Sequence, residues 1–179
     1  MRQLYLLLVL LLVGVASTNS ASNKVVEVDV ICKEASNPLF CSNILNSNPG
    51  GAKGVDLVDL AIYTIDVFDY NSSNTNSLIH KLIDQSGGNV TEINYYHPCA
   101  VDFDSTHGIT AMLIFASTHL NHGHYSAMAK DTTNIMKKIL ECSHSLHKNK
   151  TSPLLAKSVD VLRLVGQVLQ IISKYLNHG

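Results

Sequence analysis

Tryptophan is absent from this chain, and aromatic residues as a whole make up only 6% of it. Sandwiches of strands build their cores on aromatic and β-branched residues, so this poverty directs attention to helices, for which leucine, isoleucine, valine and alanine are plentiful. A charge surplus is missing as well: 13 lysines and arginines face 14 aspartates and glutamates, a formal net charge of −1. Nothing here favours nucleic acid, and no acidic block forms a solvating tail. Low-complexity tracts and convincing internal repeats are also lacking. So are the common catalytic signatures: no G-x-S-x-G, G-x-x-x-x-G-K-[ST], H-E-x-x-H or G-x-G-x-x-G occurs. We therefore assign no catalytic residue, no cofactor and no enzymatic activity.

The hydrophobic runs are short, with one informative case. Met1-Arg2-Gln3 carries a positive charge, an apolar run follows from Leu4 to Val15, and small or polar residues continue from Ala16 to Ser22. That order is that of a secretory signal peptide, here 1–22, with cleavage between Ser17 and Ser22. A membrane anchor would need ~20 apolar residues, and no run in the chain reaches that length. The expected product is exported, free of the membrane after cleavage, and comprises one domain over 23–179.

All four cysteines, Cys32, Cys41, Cys99 and Cys142, fall in that domain. An even number in an exported chain reads as two disulfides. Three pairings are open at this point; the simplest joins Cys32 to Cys41 in a short clasp and leaves Cys99 with Cys142. Loops of those lengths would contribute roughly 3 and 4 kcal/mol in the chain-entropy account. A zinc site would want closely spaced ligand pairs, which the last two cysteines do not supply. Asn71, Asn89 and Asn149 each begin a glycosylation triplet, in keeping with export.

Helical spacing recurs four times. Leu57, Leu60, Ala61, Thr64, Val67 and Phe68 share one face, resumed by Leu78, Ile79, Leu82 and Ile83. The polar stretch Asn71–Asn76 leaves room for a kink or break, and Gly87-Gly88 ends the segment. A second helix is expected after Pro98, carrying Phe103, Thr110, Leu113 and Leu120 and closing at Asn121-His122-Gly123. Tyr125 opens a third, with Met128, Thr132, Ile135, Ile139, Cys142 and Leu146. Ser152-Pro153 caps and starts a fourth, whose stripe runs Leu155, Val159, Leu162, Val165, Leu169, Ile172 and Leu176. The fold class this predicts is all-α: an up-down-up-down four-helix bundle over 52–179, preceded by a short N-terminal helical hairpin over 23–51, with two disulfides.

Side chains with chemistry are few. His119, His122 and His124, with His107 further back, are the nearest approach to a metal set. Two of them flank Gly123 in an expected turn, where polar residues belong, and no metal is assigned. Asp102 and Asp104 bracket Phe103 and do not share a helix face, so they read as solvated surface. Asp56, Asp59, Asp66 and Asp69 follow the outer face of the first helix, and Lys130, Lys137 and Lys138 form a basic stripe on the third.

Ile31-Cys32-Lys33, Asn37-Pro38-Leu39-Phe40-Cys41 and the later Cys99 and Cys142 together resemble the plant invertase and pectin methylesterase inhibitor family. The likeness runs from about Val25 to Leu176. Ile44-Leu45-Asn46-Ser47-Asn48-Pro49 and Asp56-Leu57-Val58-Asp59-Leu60-Ala61-Ile62 are similar to its invertase-inhibitor branch. The resemblance implies pairing of the first cysteine with the second and the third with the fourth. It also implies a helical hairpin ahead of the bundle, and inhibition by covering the substrate cleft of a secreted pectin methylesterase or acid invertase. The chain would act as a monomer in the apoplast or cell wall. The invertase branch carries Pro-Lys-Phe before the third bundle helix; here the stretch reads Gly123-His124-Tyr125, which becomes the expected partner-binding segment. Phe103 replaces the family's tyrosine four residues after the third cysteine, and Thr106 its small residue. A bundle protein of the extracellular space with no inhibitory activity is the competing expectation.

Overall fold

The computed structural model describes residues 24–149 and 151–178. The expected signal segment, residues 1–22, lies outside the described residues. Two short helices, α1 (Val28–Cys32) and α2 (Pro38–Asn46), form the N-terminal hairpin. The bundle follows as α3 (Leu57–Gln85), α4 (Val90–Asp102), α5 (Ile109–Asn121), α6 (Tyr125–Asn149) and α7 (Pro153–Asn177). Neighbours alternate in direction around a ring in which α7 packs on α3 and α6, α6 on α4 and α5, and α4 and α5 on α3. The all-α fold class is that anticipated, and Val25 forms an isolated antiparallel bridge with Asp56.

Four of the helices, α2, α3, α4 and α7, start where their first free N–H groups find a side-chain acceptor. Asn37 Oδ1 accepts from the Phe40 N–H, Asp56 Oδ1 from Val58, and Ser152 Oγ from Leu155. Pro38 and Pro153 sit at first helical positions, where a missing N–H costs nothing. Apolar stripes from all the bundle helices then meet in one interior, with Leu60, Phe68, Phe103, Ile139 and Leu162 fully enclosed. The α7 stripe is buried along its whole length, from Leu155 to Leu176.

The second bundle rod departs from expectation. It is two helices, and the first begins at Val90, capped by Asn89 Oδ1 on the Thr91 and Glu92 N–H groups, so that Pro98 lies inside it. The break at 103–108 has a local cause. Asp104 Oδ1 accepts from the Thr106 N–H, the His107 N–H and the Thr106 hydroxyl, diverting the backbone into a turn. The Gly108 N–H closes onto the Asp104 carbonyl at 3.0 Å. A Cβ at Gly108 would sit 2.4 Å from Asp104 backbone atoms, so only glycine permits that approach. By contrast, α3 runs unbroken through Asn71–Asn76. The Asn71 amide donates to the Val67 carbonyl at 2.7 Å and the Thr75 hydroxyl to that of Asn71 at 2.8 Å, so these polar side chains are satisfied without leaving the helix.

Both disulfides pair as the resemblance implied. Cys32–Cys41 closes the hairpin with 5.5 Å between Cα atoms, and Cys99–Cys142 ties α4 to α6 at 4.6 Å. The hairpin then leans on α7. Glu34 accepts from Lys174 Nζ and the Tyr175 hydroxyl, each at 2.7 Å, and those bonds hold its carboxyl below the usual range. Ser36 adds bonds to Gln167, and Lys24 Nζ donates to the Tyr175 carbonyl.

Candidate partner-binding site

The Gly123-His124-Tyr125 segment occupies the tight turn that ends α5 and begins α6. Its geometry follows from how a helix stops. The Gly123 N–H bonds to the Leu120 carbonyl at 3.0 Å and the His124 N–H to that of His119 at 2.8 Å. This is the paired closure of a Schellman motif, and it places Gly123 at φ +70°, in the left-handed region. Open space surrounds its missing Cβ, so backbone conformation alone calls for glycine.

The three histidines of the turn gather around this closure. His124 is exposed, with its ring centroid 6.0 Å from that of His122 and 6.2 Å from that of His119. One ring nitrogen of His119 and one of His122 are engaged with protein acceptors. His119 Nδ1 lies 2.6 Å from Asp131 Oδ2 on α6, and His122 Nδ1 donates to the Thr118 carbonyl at 2.7 Å. Among the described residues no group of three or more histidine, cysteine or acidic side chains could hold a metal ion. His107 does not join them: it sits in the break before α5, and that helix of 13 residues separates it from the turn by roughly 20 Å.

A shallow depression of about 600 Å³ borders the turn, lined by Gly123, His124, Tyr125, Ser126, Lys130 and Asn177 among others. Tyr125 is only partly exposed, its ring packed on the core. His124, rather than the aromatic residue, is therefore the side chain the turn exposes.

The other expected surface groups divide. Asp104 is exposed, and its hydrogen bonds from the Thr106 hydroxyl and from the Thr106 and His107 N–H groups hold its carboxyl down at about 2. Asp102 corrects the solvated reading: it is buried, with Lys138 Nζ 3.3 Å away, and burial pushes its carboxyl up while Lys138 opposes the shift. Lys138 is thus part of an inward ion pair rather than of a basic stripe, whereas Lys137 reaches only Glu141, at 3.9 Å. Asp59, Asp66 and Asp69 are exposed as expected, while Asp56 caps α3. Asn89 is exposed at its cap, Asn71 is half-buried in α3, and the side chain of Asn149 lies outside the described residues.

What the chain presents is a disulfide-stapled helical bundle with a hairpin buttress and one histidine-bearing turn. The sequence matches no family model and no curated protein. Solved structures do share the fold. A mutant form of a pectin methylesterase inhibitor from Arabidopsis superposes with a TM-score of 0.73 at 21% identity, covering 83% of this chain and 95% of that one. A pectin methylesterase inhibitor from Arabidopsis thaliana gives 0.63 at 20% identity, with the same coverage.

Proposed function

We propose that the chain is a secreted inhibitor that docks on a cell-wall carbohydrate-active enzyme, a pectin methylesterase or an acid invertase, and covers its substrate cleft. The observation that carries this reading is the shared fold, which extends over 95% of each of the two pectin methylesterase inhibitors. Both disulfides support export, since such bonds persist in oxidising compartments. Among the described residues no helix is long and apolar enough to cross a membrane. The chain works as a monomer in the apoplast. A bundle of this stiffness loses little conformational freedom on docking, so a modest interface suffices for tight binding. Gly123, His124 and Tyr125 form one contact region.

The test is a titration of the purified protein against a plant pectin methylesterase and against an acid invertase at pH 5. Stoichiometric inhibition of one of them is expected. Failure against both would overturn the reading in favour of a bundle without inhibitory activity, a reading that the Gly123-His124-Tyr125 sequence in place of Pro-Lys-Phe favours. His124→Ala, which removes the exposed ring of that turn, is expected to weaken the inhibition.

A further inference from the structure

Around the seam of α3 and α5, the surface combines two features that a solitary bundle has reason to avoid. The first is uncompensated charge. Asp59, Ile62, Asp66 and Asp69 follow one outward stripe of α3 at steps of three and four. Between Lys53 and Lys81 the chain carries no lysine or arginine, and α5 carries none either. Among the described residues none of the ion pairs involves Asp59, Asp66 or Asp69. Like charges three or four apart weaken a helix, and aspartate is a poor helix former in its interior.

The second is bare apolar surface. Ile114 and Phe115 on α5 are 61% and 56% exposed, and Tyr70 on α3 is 70% exposed. The acidic stripe and Ile114 meet in a groove between α3 and α5 of about 290 Å³; Tyr70 and Phe115, the latter one turn before His119 and so on that residue's side of α5, do not line it. Its walls are Asp66 and Asp69 on one side and Ile114, Ser117 and Thr118 on the other, with Ile65 and Leu113 beneath. Asp66 also lines a second hollow of about 290 Å³, reaching Ile62, Tyr63, Asp59 and the Asn48-Pro49 joint. The acidic stripe is therefore the ridge between two depressions, one bordered by an apolar wall.

We infer that this α3–α5 face is a docking surface for a basic protein segment, one that presents an arginine or lysine beside an apolar side chain. The chemistry is complementary at each point. A long cationic side chain would lay its methylenes along Ile114 and bring its head group between the Asp66 and Asp69 carboxylates. The neighbouring apolar side chain would cover Phe115. For the identity of the partner the inference rests on the inhibitor reading: the segment belongs to the cleft rim of the target enzyme, and this face acts in addition to the α5–α6 turn.

Two measurements separate the face from the function. In the first, the isotopically labelled full chain, free of its signal segment, is titrated with the amidated peptide acetyl-Leu-Arg-Phe-Arg and its amide resonances are followed. Shifts confined to residues 59–70 and 113–118 are expected, with at least fivefold weaker binding in an Asp66→Asn, Asp69→Asn variant and weaker binding at 0.5 M salt, on the order of one Debye length of 4–5 Å. No shifts, or shifts elsewhere, overturn the inference. In the second, an Asp66→Lys, Asp69→Lys variant is assayed against whichever enzyme the parent chain inhibits, with at least a tenfold loss of potency expected. Full potency in that variant overturns the face while leaving the inhibitor reading intact; a parent chain that inhibits neither enzyme but passes the peptide test defeats the inhibitor reading and leaves the face. Light scattering showing a dimer that Phe115→Ser dissolves would also overturn it, by making a second copy the occupant.

Discussion

Lys138 Nζ on α6 lies 3.3 Å from Asp102 Oδ1 at the end of α4, and the aspartate is buried where the second bundle rod breaks. Burial raises the Asp102 carboxyl and Lys138 lowers it, with burial the larger influence. Removing the lysine leaves a buried carboxylate unpaired, which costs about 3 kcal/mol. A group whose folded-state pKa lies above its unfolded value favours folding below the unfolded value, and loses that contribution as pH rises through the folded one. Lys138→Met should therefore destabilise the protein by about 3 kcal/mol at pH 7 and by much less near pH 4. Urea denaturation at the two pH values checks this; an equal loss at both would show that the ion pair is not the cause.

Asp104 titrates in the opposite sense. Its folded-state value of about 2 lies below the ordinary 3.8, chiefly because of the Thr106 hydroxyl. The stability it contributes is present above pH 4 and is lost as pH falls toward 2. NMR titration of the side-chain carboxyl carbons should place this aspartate lowest among those followed, and Thr106→Val should move it upward. An unmoved midpoint in that variant would transfer the credit to the backbone N–H groups.

At Gly123 the cost of substitution is conformational, because the φ of +70° is disfavoured for a side chain and no neighbour obstructs one. Gly123→Ala should cost about 1 kcal/mol, and Gly123→Asn less, since asparagine tolerates the left-handed region. Equal losses measured by chemical denaturation would point to a contact that the turn does not show.

The two described sequons should differ in occupancy. The Asn89 side-chain oxygen Oδ1 caps α4, and the residue is exposed. Asn71 is half-buried within α3, gives its amide hydrogen to Val67 at 2.7 Å, and precedes the buried Ser72. A bulky surface glycan suits the first site and not the second. Glycopeptide mass spectrometry of protein secreted from plant cells should find Asn89 occupied and Asn71 bare; a fully occupied Asn71 in folded protein would refute the assignment.

Most of the bundle was legible because its helices bury long stripes at regular steps. The α7 row from Leu155 to Leu176 and the Ser152-Pro153 start needed no tertiary information. The errors share one physical character. Asn71–Asn76 leaves room for a kink or break because residue type says little about whether a polar side chain will bond to its own helix, as Asn71 and Thr75 do. Pro98 looked like a helix start, and the real interruption came later, at a turn organised by one Asp104 oxygen and a glycine pressed against backbone. The burial of Asp102 depends on a lysine 36 residues away, which no local pattern reveals. For the site, Gly123 marked the turn correctly, but the inward packing of the Tyr125 ring depends on its neighbours in space. The α3–α5 groove is likewise formed by two segments far apart in sequence.

Dividing the second rod at 103–108 has a mechanical consequence. Sulfur fastens α4 to α6 through Cys99 and Cys142, whereas α5 is joined to α6 by the turn, the His119–Asp131 contact and side-chain packing. The crosslink therefore secures the first half of the rod covalently, while α5 keeps its place through packing on α6 and α3.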